Sequence, residues 1–299
     1  GLLGLGKMGG NMARRMAEQG WHVAAWNRTT QVALDLEKEN PSIHAMETFA
    51  DMIEALPAPR VIWLMLPAGE ATEEALFSEG GLAERLQKGD TVIDGGNSFW
   101  KDADPRAERL AAMGVNYLDC GTSGGPAGAR NGACLMIGGQ KETFDRIEEL
   151  FKDFARPDGY RFFDGHGAGH FVKMVHNGIE YGMMQALAEG FAVMKKSAFD
   201  LDLKRVTEIY NAGSVIESRL VGWMKSGYEA HGVELEGIKG TVSHTGEGKW
   251  TVETAHEMGI EVPIIKGSYD FRVASEQNPS YTGQVLSMLR GQFGGHATK

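Results

Sequence analysis

Over the first half of the chain, short runs of β-forming residues alternate with longer amphipathic stretches. WHVAAW (21–26), VIWLML (61–66), TVID (91–94), VNYLD (115–119), ACLMI (133–137) and YRFF (160–163) read as strands. Between them NMARRMAEQG, DPRAERLAAMG and KETFDRIEELFKDFA carry helical spacing of apolar positions. Such alternation predicts an α/β fold with a doubly wound, mostly parallel sheet, and the fully apolar strands fit a sheet covered on both faces. After about residue 165 the β signal stops. HFVKMVHNGIEYGMMQALAEGFAVMKKSAF is one long helical pattern without proline, and further helices are expected over 200–211, 214–225, 248–258, 263–276 and 280–289. Asp202 and Ser214 are placed as N-caps, and Pro263 as a helix start. Two domains follow: 1–165, built on strands and helices, and 166–299, all helical.

Composition narrows the class. Of 299 residues, 42% are hydrophobic and 23% charged, as in an ordinary globular protein. VIWLMLPAG (61–69) is the longest apolar run and is too short to span a membrane. The net charge of −10 argues against nucleic acid as a partner. Cys120 and Cys134 have neither CxxC spacing nor a zinc pattern, so two inert thiols in a reducing cytoplasm are expected. The chain opens directly on GLLGLGKMGG, which reads as the inside of a first strand with no signal peptide before it.

That opening contains Gly4-Leu5-Gly6-Lys7-Met8-Gly9, a G-x-G-x-x-G between a strand and a helix. Its glycines permit a tight turn and the approach of a pyrophosphate, whose charge the helix N-terminus favours, so a Rossmann-type dinucleotide site is expected here. The second strand ends at Asn27-Arg28-Thr29, where NAD-preferring folds carry a carboxylate for the ribose 2′-hydroxyl. Asn27 lacks that charge and Arg28 is suited to a 2′-phosphate, so NADP is favoured over NAD; the other reading is a polar turn capping a helix. Leu66-Pro67-Ala68 and Asp94-Gly95-Gly96-Asn97-Ser98 follow strands at the carboxyl edge, where ligands bind. Asn97 suits a ribose or a substrate hydroxyl. Gly121 to Pro126 reads as a glycine-rich turn whose amides, with the Ser123 hydroxyl, can receive a carboxylate or phosphate.

GHFVKMVHNGIEYG (169–182) is the least ordinary stretch. On a helix, Lys173, His176, Asn177 and Glu180 fall within an arc of about 100°, on a stripe that continues into Met184 and Leu187. A lysine and a glutamate thus share a face built for burial.

GLGKMGGN, DGGNS, SGGPAGARNG, GHFVKMVHNGIEYG, TGEGKWT and the terminal RGQFGGH together resemble 6-phosphogluconate dehydrogenase, in its short bacterial-type form, over nearly the whole chain. The resemblance implies oxidative decarboxylation of 6-phospho-D-gluconate to D-ribulose 5-phosphate and CO2 with NADP or NAD, in the pentose phosphate pathway or gluconate metabolism. It assigns Lys173 as general base and Glu180 as general acid. It implies substrate contacts at Asn97, Ser123, Gly124, Gly125, His176, Asn177 and Tyr181, and a phosphate contact at Arg272. Arg290 and His296 match a pair given from the C-terminal tail to a partner subunit's active site, which implies a homodimer. Long-form members carry a substrate-binding lysine just before GxGKWT, where this chain reads Ser243-His244-Thr245; either His244 takes over that contact or it is lost.

The residue types suit the reaction. A lysine takes a hydroxyl proton only when neutral, so Lys173 needs partial burial to bring its pKa down from about 10.4. As an ammonium it then polarises the new carbonyl while CO2 leaves, and no metal is required. Asp94, Asp119 and Asp164 stand at strand ends, isolated from any histidine pair, and form no metal-ligand pattern. A neutral Glu180 supplies the proton for the enediol. The nearest rival is another β-hydroxyacid dehydrogenase of the 3-hydroxyisobutyrate type, whose small acid would leave the phosphate-binding cations without work.

Overall fold

The computed structural model describes residues 1–244 and 246–295. Its chain divides into two compact units, Gly1–Lys173 and the residues from Met174 onward.

The first unit is one eight-stranded sheet flanked by helices. In chain order it runs β1 (Leu2–Leu3), α1 (Lys7–Glu18), β2 (Val23–Trp26), α2 (Thr30–Glu39), β3 (Ile43–Met46), α3 (Phe49–Ala55) and β4 (Val61–Leu64). It continues through α4 (Glu70–Phe77), β5 (Thr91–Asp94), α5 (Ala103–Ala111), β6 (Asn116–Ser123), α6 (Gly125–Asn131), β7 (Ala133–Gly139), α7 (Lys141–Phe154) and β8 (Ala155–Asp164). Strand order is β3-β2-β1-β4-β5-β6-β7-β8, and only the β6–β7 pairing is antiparallel. The first six strands therefore have the order of a Rossmann fold, with the switch point between β1 and β4.

Alternation along each strand fills two cores. Leu2, Ala25, Trp63, Ile93 and Leu118 face α1, α2, α6 and α7, while Leu3, Ala24, Ile62, Leu64, Val92 and Tyr117 face α3, α4 and α5. Strand β3, missed by hydropathy, is an edge strand with His44 exposed, so IHAM shows no apolar run. The expected turn at Gly121 is strand instead: β6 extends through Ser123, each residue paired with β7, and the chain turns only at Gly124.

In the helical unit, α8 (Ala168–Lys195), which starts in the first unit, is followed by α9 (Leu203–Tyr210), α10 (Arg219–His231), α11 (Glu247–Glu257), α12 (Pro263–Ser275) and α13 (Tyr281–Gly294). Met184, Ala188 and Phe191 of α8 pack with Leu203, Met224, Tyr228, Leu286 and Leu289. Asp202 caps α9 and Pro263 opens α12 as expected. Helix α10 starts later than its pattern suggests: Ser218 caps it, while the Ser214 hydroxyl donates to the Tyr210 carbonyl at the end of α9. Helix α13 runs five residues past the expected Leu289 to Gly294. Among the described residues no helix is long and apolar enough to cross a membrane.

Trp63, 1% exposed, lies edge-on to Phe151 and Phe154 at 5.4 and 5.5 Å. Trp63→Ala is expected to cost about 3–5 kcal/mol of stability, read from denaturant unfolding of the first unit.

Candidate active site

The turns after β1, β2, β4, β5 and β6 all emerge at the carboxyl edge of the parallel strands. Gly4 to Gly9 form the first. A β-carbon on Gly9 would sit 1.8 Å from the Gly4 carbonyl oxygen, so only glycine allows α1 to start this close to β1. No side chain caps α1 and no acidic residue occupies its first turn, which leaves its amides for an anion. These features fit a dinucleotide pyrophosphate. Asn27 has a structural task there: its Oδ1 accepts from the Leu5 amide at 2.9 Å, and its Nδ2 donates to the Thr29 carbonyl. Arg28 is exposed beside it. Thr29 stands at the N-cap position of α2 but makes no side-chain cap bond. Leu66, Pro67 and Ala68 follow β4, and the Thr72 hydroxyl donates to the Pro67 carbonyl to hold that turn.

Asn97 is exposed on the loop after β5, and the buried Asp94 carboxylate shapes that loop. Its Oδ1 accepts from the Gly96 amide at 3.1 Å and the Ser98 hydroxyl at 3.2 Å. Its Oδ2 accepts from Arg106 at 2.9 Å and from the Tyr117 hydroxyl at 3.3 Å, with the His170 ring 3.5 Å away. Burial pushes this carboxyl up, but His170 and Arg106 outweigh burial and hold it at about 2. Burial likewise opposes a charged His170, and Asp94 with Asp119 overcomes it, so the histidine titrates above its ordinary range. Asp94 and Asp119, which the sequence leaves apart from any histidine pair, meet a single histidine, His170, in the fold. The β5–β6 register sets the two carboxylates side by side, and α8 returns His170 to them. The available signal was a histidine three residues before the candidate lysine.

Lys173 is half-buried on α8. A β-carbon on Gly121 would come within 2.3 Å of the Lys173 β-carbon, so the lysine stem lies directly on the β6 backbone. Ser123, Gly124 and Gly125 follow on the same strand and turn, all partly accessible.

Along α8, His176, Asn177 and Glu180 are half-buried and form one polar stripe: His176 Nδ1 lies 2.9 Å from Asn177 Oδ1 and 3.8 Å from Glu180 Oε2. Tyr181 is buried, with Gly248 of α11 against one side of its ring and the Arg272 guanidinium 3.3 Å from the ring centroid. Arg272 is 1% exposed and its polar contact is the Met184 sulfur at 3.8 Å. Arg290, 6% exposed, donates to the Ser243 hydroxyl at 2.7 Å. Glu180 and Glu247 lie near enough to favour both cations, yet burial dominates, bringing Arg272 down to about 10 and lowering Arg290. Among the described residues neither guanidinium forms an ion pair with a carboxylate.

Helix α13 continues through Arg290, which is buried within the helical unit. His244 adjoins Ser243 in the loop before α11 and lies edge-on to Tyr269 at 5.1 Å, with a buried Nδ1 that has no hydrogen-bond partner among the described residues. His296 and Thr245 lie outside the described residues. No three His, Cys, Asp or Glu side chains among the described residues are grouped to hold a metal ion.

Residues 1–167 match the model of the NAD binding domain of 6-phosphogluconate dehydrogenase, and 169–290 that of its C-terminal domain. The chain is 41% identical over its whole length to a putative 6-phosphogluconate dehydrogenase, YqeC, of Bacillus subtilis, covering 98% of that protein. It is 36% identical to an NAD(+)-dependent, decarboxylating 6-phosphogluconate dehydrogenase of Haloferax volcanii, with 99% of this chain and 97% of that one covered. The Plasmodium falciparum 6-phosphogluconate dehydrogenase, solved with NADP+ and with 6-phosphogluconate, matches with a TM-score of 0.79 and 28% identity over 96% of this chain and 69% of its own. A 3-hydroxyisobutyrate dehydrogenase of Salmonella typhimurium shares the fold, with a TM-score of 0.73 and 19% identity over 96% of this chain and 98% of its own.

The raised pKa of His170 carries a sign for stability. Its contribution is complete below pH 6.5, where folded and unfolded histidine are both charged, and fades as pH rises through the folded value. Denaturant midpoints of the wild type and His170→Gln are expected to converge as pH rises above 6.5; a pH-independent gap would show that the histidine is not charged in the fold.

Proposed function

The chain belongs to the 6-phosphogluconate dehydrogenase family, an NAD(P)-dependent oxidoreductase family, and on that premise we propose that it oxidises and decarboxylates 6-phospho-D-gluconate to D-ribulose 5-phosphate and CO2. The observation that carries this reading is the pair of buried arginines, Arg272 and Arg290, which have no ion-paired carboxylate among the described residues. Burying an unpaired guanidinium costs several kcal/mol, and a phosphate dianion offsets that cost through charge-assisted bonds. A small unphosphorylated hydroxy acid of the 3-hydroxyisobutyrate type has no group for them.

Lys173 accepts the hydroxyl proton as the alcohol is oxidised, and the bound nicotinamide supplies the hydride acceptor. The Lys173 ammonium then polarises the new carbonyl as the carboxylate leaves as CO2. Glu180, two helical turns further along α8, protonates C1 of the enediol. Ser123, Gly124, Gly125, Asn97, His176, Asn177 and Tyr181 orient the polyol acid, and His244 supports the phosphate from the Ser243 loop. NADP is the preferred coenzyme, because the residue after β2 is Asn27 rather than a carboxylate and Arg28 stands exposed beside it. The enzyme acts in cytoplasmic gluconate metabolism as a homodimer. The exposed Ile179 and Met183 of α8 and Ile264 of α12 support a second copy as the cover of that face.

Incubation with 6-phosphogluconate and NADP is expected to release CO2 with each reduced nicotinamide; oxidation without CO2 release would sink the decarboxylase reading. Arg272→Ala is expected to raise the KM for 6-phosphogluconate about 100-fold, the scale of a lost charge-assisted anion contact, while the KM for the coenzyme stays unchanged. An unaltered substrate KM would remove the phosphate assignment. Arg28→Ala is expected to raise the KM for NADP but not for NAD, and parallel effects on both would refute the coenzyme assignment.

A further inference from the structure

We propose that Asp94 and Asp119 are positioning residues: by gripping His170 from two sides they set the first turn of α8 on the sheet and, with it, the place of Lys173. The inference rests on the reading of Lys173 as the base, and its test separates the two.

Asp119 acts on the backbone. Its Oδ1 accepts from the Gly167 amide and its Oδ2 from the His170 amide, both at 2.7 Å. Four amides at a helix start lack partners within the helix, so a carboxylate from another element that takes two of them fixes where the helix begins. Asp94 acts on the side chain, with the His170 ring 3.5 Å from its Oδ2. The two carboxylates face each other in the β5–β6 register, so one rigid pair of strand ends holds both handles of one residue.

The grip leaves the helix little room to slide. A β-carbon on Gly169 would lie 2.3 Å from the Met136 carbonyl and 2.9 Å from Asp119 Oδ2, and the Lys173 stem rests on Gly121 of the same strand as Asp119. Helix and strands therefore meet closely at Gly169, backbone against backbone, and about one turn later at Lys173, stem against backbone. Lys173 is one turn beyond His170, so a displacement at the grip passes to it undiminished. The same Asp94 carboxylate also holds Gly96 and Ser98, the residues on either side of Asn97. The pair thus references the loop of Asn97 and the helix of Lys173 to a common point. Arg106, ion-paired to Asp94 at 2.9 Å and Glu73 at 2.7 Å, keeps the cluster compensated and buried.

Asp119→Asn replaces one of the two acceptors by an N–H donor that faces a backbone amide. In the full-length enzyme it is expected to lower kcat about 100-fold, the scale of an ångström-sized misplacement, with the KM for 6-phosphogluconate unchanged. Acylation of Lys173 by acetic anhydride at fixed pH, followed by mass spectrometry, is expected to change in rate. His170→Gln, which keeps the backbone amide and loses the ring, is expected to show the same pattern more weakly, and it carries the test if Asp119→Asn does not fold. An unchanged acylation rate in a folded variant, whatever happens to kcat, overturns the positioning role. Altered acylation with undiminished kcat upholds positioning and overturns instead the reading of Lys173 as the base.

Discussion

The lysine of the candidate site reaches the sheet only because Gly121 has no side chain. Everything at this end of α8 follows from that contact: with 2.3 Å between an added β-carbon and the lysine stem, the helix must pack against bare β6 backbone, in one register and at one height. A helix placed so closely needs partners for its first amides, and the carboxylate that supplies them comes from the same strand two residues earlier. The antiparallel β6–β7 pairing completes the platform by bringing Met136 and Gly138 alongside. Sheet topology, helix start and lysine placement are one solution to a single steric constraint.

Charge is buried in both units in opposite ways. In the first, Asp94, Arg106, Asp119 and His170 compensate one another, as buried ions in a rigid scaffold must. In the helical unit, Arg272 and Arg290 are buried without such pairing among the described residues, one stacked on Tyr181 and the other bonded to a serine. In the first arrangement the charges answer one another from within the fold, with Arg106 bonded to Asp94 and the His170 ring 3.5 Å from the same carboxylate. The second retains donor capacity, which fits a site that awaits an anion.

Much of this was legible in the chain. Fully apolar strands with turn signals exposed β4, β5 and β7, and the glycine spacing located the α1 turn. The stripe of Lys173, His176, Asn177 and Glu180 announced itself because charge on a burying face is costly. Strand β3 was not legible, since an edge strand with exposed His44 carries no hydropathy signature. Nor was the extension of β6 through Gly121 to Ser123, because glycine reads locally as a turn and only the tertiary contact with Lys173 explains it. The association of Asp94, Asp119 and His170 depends on strand register and on the return of α8, and no local pattern encodes either. The burial of Arg290 was not legible either, because a motif marks an arginine but not the surface that will bury it, and α13 places Arg290 within the helical unit.

Asn27 has a consequence for how such a protein changes over evolutionary time. Its Oδ1 is committed to the Leu5 amide, while its Nδ2 makes only a longer bond to the Thr29 carbonyl. Aspartate in its place keeps the first oxygen where the glycine turn needs it and exchanges the nitrogen for a second oxygen. The phosphate-binding turn is therefore insulated from drift at the ribose end. Position 27 can therefore pass between amide and carboxylate while the glycine turn it braces stays in place.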